Sequence, residues 1–497
     1  MNIRKLHSLA ISPIRLLFLR TSKIPASRSL GLALYKTGLA LALEVLSAMP
    51  EIKSIYSKTR MDEGFFVGQS DIDLVVVAAD MPLEEEISFL KRYHRKFLAL
   101  RTLFPFLVIE LYFEREFYSH QKVRHTEIFR SGKHFKDWTL LHGAESRLRF
   151  EDNESEPSGW VIRDAYENIL LNIYESRLSG ERDFRRLYKF TLGIARTSFM
   201  SEKGRAPEGD MECKSFLESK GADPAFANSL LSMPERGFTA NGDFLSEAVY
   251  WNIKLIEGLG ERLRKGERID VSGSLEPDAP IRKEAADFAR RIAKTGVKSI
   301  ILSRIPLRKP SHYLYIILPE TSIGEFKKTF QSLMENLASL PALKKDLSAG
   351  IKNRFQQDFA IFPLPLTSRT LDNTCFAEGC NPFETVSLPL GVVLAGPAAE
   401  IPVDSRHIKK SFRRHIHLHS LFAVKNILLP RFLRPAGKND EALEWLKAYR
   451  LLSLKDRVCL SGANQEYAKT FGAQKESDTP ESKYLMARKM LDEIWES

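Results

Sequence analysis

In this chain of 497 residues, chemistry is concentrated in Val67-Gly-Gln-Ser-Asp71-Ile-Asp73-Leu-Val-Val-Val77. Two aspartates at i and i+2 of a strand point to the same face. Carboxylates held side by side repel unless a cation compensates them, and Mg²⁺ or Mn²⁺ suits a few carboxylates plus phosphate oxygens. Glu110 is the single charge in the apolar run Phe106–Phe113 (FLVIELYF). An acid inside an apolar strand needs a partner, which makes Glu110 the natural third ligand beside Asp71 and Asp73. Three such acids on neighbouring strands would hold two metals, the arrangement that clamps attacking and leaving oxygens in phosphoryl or nucleotidyl transfer.

The segment upstream reads as a short polar turn, Ile55-Tyr-Ser57-Lys58-Thr-Arg60, with Ser57 fourteen residues ahead of Asp71. A turn there can offer a hydroxyl, backbone N–H groups and the Lys58 ammonium to a triphosphate.

These residues need elements to hold them. Over residues 1–150 the pattern alternates: Leu30–Met49 is helix-like, Gly64–Val67 and Leu74–Ala78 read as strands, and Leu83–Phe104 as a helix. That helix carries Glu84, Glu85 and Glu86 first and Lys91, Arg92, Arg95 and Lys96 later, the order the helix dipole favours. Residues 160–269 are mostly helical, with Val161, Ala165, Ile169 and Ile173 repeating every four residues and Asp183–Phe199 continuing in helical period. Arg186, Lys189, Gly193 and Arg196 share one face of that second helix.

Residues 281–497 open with a helix (Ile281–Lys294), two β-rich segments (Lys298–Ile305 and His312–Leu318) and an amphipathic helix (Ile323–Leu340). Phe359–Val403 reads as Pro-rich and irregular, and Ala442–Leu452 and Ser482–Trp495 as closing helices. Three breaker-rich stretches separate these parts: Glu151–Gly159, Gly204–Pro224, which reads as a long loop, and Asp270–Pro280. No internal repeat is visible in the sequence.

A charged fraction of 28%, a hydrophobic fraction of 43% and a mean hydropathy of -0.23 exclude a mostly disordered chain and a polytopic membrane protein. The net charge of +11 favours polyanionic partners without choosing among nucleotides, nucleic acid and a membrane surface. Between Ile401 and Arg434 stand eight Lys or Arg and one acid, Asp404, so 401–434 is the candidate groove for RNA or another polyanion. The first 43 residues hold seven Lys or Arg and no acid; they read as a basic helix of a cytoplasmic protein rather than a targeting peptide. The apolar stretch Ser29–Met49 carries Lys36 and Glu44, and Val386–Val403 is broken by prolines and glycines, so neither reads as a membrane span.

Other signals are weaker. His415, His417 and His419 would share a face on a strand, but Lys409, Lys410, Arg413 and Arg414 beside them would repel a metal. Cys375 and Cys380 have no second cysteine pair near them, and four cysteines in this length suit a reducing compartment. Neither GxGxxG, GxxxxGK[ST] nor GxSxG occurs.

The constellation resembles the nucleotidyltransferase superfamily typified by DNA polymerase beta, over roughly residues 30–150. Ser57 matches the Ser of that family's first motif, Asp71-Ile72-Asp73 its acidic pair, and Glu110 its later acid, 37 residues beyond Asp73. Trp138-Thr-Leu-Leu-His-Gly143-Ala-Glu145 looks like the segment that closes the domain, and Tyr56 stands where the family has Gly. The resemblance implies a polymerase-beta-like sheet with helices at 1–150; with the patterns that follow along the sequence, the chain reads as α+β, with a helical domain at 160–269 and a mixed α/β C-terminal domain at 281–497. The resemblance also implies metal-dependent transfer of a nucleoside monophosphate from an NTP, ATP first among them, to an acceptor hydroxyl with release of pyrophosphate. Asp71 and Asp73 would then bind both ions, and Glu110 the catalytic ion. Ser57 and Lys58 would contact the triphosphate, and Lys189 or Arg196 would neutralise charge on the leaving group. The competing reading is an inactive nucleotide- or RNA-binding module that keeps the fold.

Overall fold

The computed structural model describes residues 25–59, 71–124, 127–128, 138–148, 156–180, 182–261, 263, 269–273, 275–305, 311–348, 359–380, 382–398, 405–416, 421–429, 441–460, 462–472 and 479–496. The chain is α+β, built around two mixed four-stranded sheets.

The first sheet follows helix α1 (Pro25–Ser47) and comprises β1 (Ile52–Ser57), β2 (Ile72–Ala78), β3 (Leu107–Phe113) and β4 (Thr139–Gly143), in the order β3-β2-β1-β4. β2 is antiparallel to β1 and parallel to β3, and β4 is antiparallel to β1. The parallel pair requires a crossover, which α2 (Leu83–Leu103) provides. α1 and α2 cover one face: Tyr35 stacks on Phe106 with ring centroids 3.9 Å apart, and Leu46, Phe89, Tyr93 and Phe97 join the main core. By length and composition α1 is apolar enough to cross a membrane over Ser29–Ser47, although Tyr35, Ala42 and Leu46 are buried within the protein. Directly after β3, α3 (Glu114–Arg124) lays Phe117 on the opposite face.

The helical layer follows as an antiparallel pair, α4 (Gly159–Ser179) and α5 (Arg185–Lys203), with α6 (Gly242–Glu257) packed beside it. The pair is pinned where it turns: Asn172 donates to the Asp183 carbonyl (2.8 Å) and accepts from the Leu187 N–H (3.0 Å).

The second sheet follows α7 (Ala279–Ile292) and comprises β5 (Ser299–Arg304), β6 (His312–Leu318), β7 (Phe362–Thr367) and β8 (Val392–Ala395), in the order β7-β6-β5-β8. α8 (Ile323–Asn336) makes the crossover between the parallel strands β6 and β7. α9 (Ser405–His415), α10 (Leu421–Leu428), α11 (Glu441–Lys455) and α12 (Pro480–Glu496) complete the chain, with α10 and α12 packed together.

These last helices return to the first sheet. The Lys425 ammonium donates to the Leu111 carbonyl (2.9 Å) and to Glu116 (2.6 Å), and Arg488 bonds Glu116 (2.5 Å) while Tyr484 donates to Glu86. All of these side chains are buried, so the ionic network is worth little as a whole but costly to break. Burial alone would raise Glu116; Lys425 and Arg488 instead hold its carboxyl below the usual range.

Several segments differ from their sequence reading. Ile55–Ser57, expected as the start of a polar turn, belongs to the central strand Ile52–Ser57, whose ladder β2 and β4 cover on both edges. Gly204–Pro224 contains the helix Asp210–Ser219, which buries Cys213, Phe216 and Leu217. Within the supposedly irregular Phe359–Val403 lie β7, β8 and three short helices, Ser368–Leu371, Thr374–Gly379 and Pro382–Ser387. Pro363 and Pro365 are tolerated because β7 is an edge strand. Asp270–Ser272, inside a supposed linker, pairs in parallel with Arg457–Cys459. The proposed strand Gly64–Val67 lies outside the described residues, as do His417 and His419; His415 ends a helix and stacks on Trp445.

Candidate active site

β2 starts directly after Asp71, so strand alternation turns Asp73, Val75 and Val77 to one face and Ile72, Leu74, Val76 and Ala78 to the helix-covered face. Parallel pairing sets Asp73 beside Val108 and Val75 beside Glu110, which brings Glu110 to the same face one step along. A small second core of Tyr56, Val75, Val77, Tyr112, Phe117 and Trp138 floors this face. Asp71, Asp73 and Glu110 are therefore gathered at the open end of an otherwise apolar surface.

Lys58 completes the group. Its N–H donates to the Asp73 carbonyl (2.9 Å), continuing the β1–β2 ladder, and its ammonium pairs with Glu110 while lying 4.8 Å from the centre of the Trp138 ring. The Tyr112 hydroxyl also donates to Glu110, at 3.2 Å. Thr59 ties the turn to the acids: its hydroxyl donates to the Asp71 carbonyl (3.2 Å) and accepts from the Asp73 N–H (2.9 Å).

Burial pushes the Asp73 carboxyl up to about 6, and Glu110 and Asp71 add to the rise while Lys58 and Lys189 oppose it. A carboxylate this reluctant to ionise gains from any cation that settles beside it. Lys189, on the exposed face of α5, is thus within electrostatic reach of the site from the helical layer. Arg101, near the end of α2, is destabilised as a cation by burial and supported by Asp71.

Ser57 and Arg196 go elsewhere. Ser57 pairs with Leu74 and is buried, and its hydroxyl donates to the Thr59 carbonyl (2.8 Å), so it shapes the turn instead of presenting a free hydroxyl. Arg196 pairs with Asp210, and Arg186 with Glu175. Tyr56 is fully buried in the floor; its hydroxyl donates to Glu145 (2.8 Å) and accepts from the Ser146 N–H (2.6 Å). Arg147 holds the Glu145 carboxyl down at about 2.

Thr59, Arg101, Tyr112 and Trp138 were not singled out for the site from sequence. Thr59 and Trp138 lie inside segments whose neighbours drew attention, whereas Arg101 enters only through the end of a crossover helix.

Among the described residues, no three carboxylate, imidazole or thiolate groups converge closely enough to hold a metal as they stand. Lys58 accounts for this at the acid face, because its ammonium takes up Glu110. The donor set of three hard oxygen ligands suits Mg²⁺ or Mn²⁺ once that ammonium turns away. Among the described residues of the basic stretch 401–434, Arg414, His415 and Lys425 are buried, and Lys409 pairs with Asp456. Arg406, Lys410 and Arg413 remain on the exposed side of α9.

Compared with known proteins, the chain matches no protein-family model, no curated protein and no solved structure.

Proposed function

We propose that the first sheet carries a metal-dependent nucleotidyltransferase site, moving a nucleoside monophosphate from an NTP to an acceptor hydroxyl and releasing pyrophosphate. The observation that carries this reading is the clustering of Asp71, Asp73 and Glu110 with Lys58 at one end of an apolar sheet face. Asp71, Asp73 and Glu110 would hold Mg²⁺ or Mn²⁺, whose charge would stabilise the attacking and leaving oxygens. With a cation on the acids, Lys58 would be available to the triphosphate instead of Glu110, and Lys189 would counter charge on the leaving phosphates. The buried apolar floor beneath lowers the local dielectric on one side of the acids and would strengthen the charge interactions there. ATP is the first donor to test, and RNA stands among the acceptors.

One observation favours a second reading. The Lys58–Glu110 pair and the Lys58–Trp138 contact already neutralise part of the acid cluster. A chain that binds nucleotide or RNA without catalysis would keep that pair permanently. Equilibrium NTP binding with and without Mg²⁺ separates the two: an active site binds more tightly with the metal and loses that gain in Asp71→Asn. Binding that ignores both the metal and Asp71→Asn removes the catalytic reading.

A further inference from the structure

The second sheet repeats the first. Each has a helix (α1 or α7), an antiparallel pair (β1–β2 or β5–β6), a crossover helix (α2 or α8), a strand parallel to the second, and a last strand returning to pair with the first. Such a shared order could arise by chance in a common architecture, so the detail matters more. The links from β2 to α2 and from β6 to α8 are equal in length, and Leu90, Tyr93 and Leu100 in one helix answer Phe330, Leu333 and Leu340 in and after the other. In both sheets the next helix starts on the residue after the third strand, at Glu114 and Ser368.

The ladder between first and fourth strands carries the closest match. It skips one residue in each sheet, Leu141 and Leu394. Two residues further on, Gly143 and Gly396 take φ of +79° and +73°, and a Cβ there would lie 1.8 Å from the Lys53 carbonyl oxygen and 2.1 Å from that of Lys298. The opposing residues are Lys53-Ser54-Ile55 and Lys298-Ser299-Ile300, the same tripeptide at the same register.

Carrying the register across places Ser311 at the position of Asp71, Tyr313 at Asp73, Leu364 at Glu110 and Ser303 at Lys58. Every charge of the site is gone. The face they occupied is instead covered by α4: Tyr313 donates to Glu167 (2.9 Å), Arg163 donates to Glu167 and to Glu384 (2.6 Å each), and the Arg163 guanidinium lies 5.1 Å from the centre of the Tyr313 ring. Tyr174 packs on Phe362, the strand neighbour of Tyr313, at 5.7 Å between ring centres.

We infer that residues 279–398 are a second copy of the fold of residues 25–148 which has lost its acid site, and that the vacated face is the seat of α4. Because α4 is paired with α5, the seat also fixes Lys189 against the acids of the first copy; that part rests on the nucleotidyl-transfer reading. The chain then carries one metal–nucleotide site, not two.

Two measurements on the whole chain test this. The first is amide hydrogen exchange in Tyr313→Phe with Glu167→Gln, with Tyr313→Phe alone as the milder variant in case the pair does not fold. The seat predicts exchange about tenfold faster in 159–179 with β1 and β2 unchanged; unaltered exchange in 159–179 overturns it. The second is Mn²⁺ binding in the presence of ATP, followed by electron paramagnetic resonance. The Mn²⁺ bound at saturation should be the two ions of a single site, lost in Asp71→Asn/Asp73→Asn and kept in Ser311→Ala. Mn²⁺ that survives the first variant and is lost in Ser311→Ala overturns the loss of the second site. Absence of Mn²⁺–ATP binding in the unaltered chain removes the proposed function instead, and the exchange result still decides the seat.

Discussion

The two sheets have the same strand order and differ in what covers one face. On the first, Asp73 and Glu110 stand at the open end of a small apolar floor, with Lys58 between them and Lys189 reaching across from α5. On the second, Tyr313 and Leu364 hold the corresponding places, and α4 fills the face with the Arg163–Glu167–Glu384 network. Burying a carboxylate beside two others at the open end of that face has an electrostatic cost, visible in the carboxyl of Asp73, raised first by desolvation and further by Glu110 and Asp71. Replacing them with a serine, a tyrosine and a leucine removes that cost and leaves a surface another element can pack on. On the proposed function, one architecture serves in the first sheet as a site and in the second as a platform, and the choice lies in four side chains.

The comparison can be broken at its most buried points first. Arg163→Ala leaves Glu167 and Glu384 buried without their cation and should destabilise the chain by roughly 3–5 kcal/mol in urea unfolding. Arg488→Ala removes one cation from Glu86, which keeps Arg115, and one from Glu116, which keeps Lys425, beneath the first sheet. A smaller loss is expected there; a loss near zero for either variant would mean that its network is not closed as described.

The glycine pair sharpens the equivalence of the two sheets. Gly143→Ala and Gly396→Ala each force a Cβ into a lysine carbonyl at positive φ. Both should cost at least about 2 kcal/mol by thermal unfolding. A large effect at one and none at the other would separate the sheets.

Asp73 provides a test by pH. Its folded-state value, raised from 3.8 to about 6, means that its favourable contribution is complete below about pH 3.8 and is lost as pH rises through about 6. Asp73→Asn should therefore stabilise the metal-free chain by on the order of 2 kcal/mol at pH 7.5 and hardly at all at pH 3.5. Equal effects at both pH values would show that Asp73 is not desolvated. The smallest expected change is at Lys58: Lys58→Ala frees Glu110 and should tighten Mn²⁺ binding by about threefold to tenfold without added nucleotide.

How legible this was varied with the residues. His312–Leu318 and the start of the Leu83 helix read directly, because long apolar runs and dipole-ordered charges leave little choice. Asp71, Asp73 and Glu110 were recognisable as misplaced charges among apolar neighbours. Ile55–Ser57 was misread as the start of a turn, since the polar residues around it hide a strand, Ile52–Ser57, whose burial comes from its neighbours in the sheet. The duplication was invisible for a related reason. Matched positions conserve burial and register rather than residue type: Val75 answers Tyr315, and buried Glu86 answers Phe326. Only Lys-Ser-Ile and the paired glycines echo in the letters, and their meaning lies in a bulge no linear pattern shows. Arg196 was chosen by helical period, which assigns a face but not the acid waiting there, Asp210.

The central claim, that the first sheet catalyses and the second does not, is tested most directly by transfer of label from α-labelled NTPs. Each NTP is given separately with Mg²⁺ or Mn²⁺, and total RNA, a metabolite extract and the protein itself serve as acceptors. The account predicts label transferred by the unaltered chain and by Ser311→Ala, falling at least about a thousandfold in Asp71→Ala/Asp73→Ala. No transfer under any condition, or transfer that survives loss of both aspartates, would contradict it.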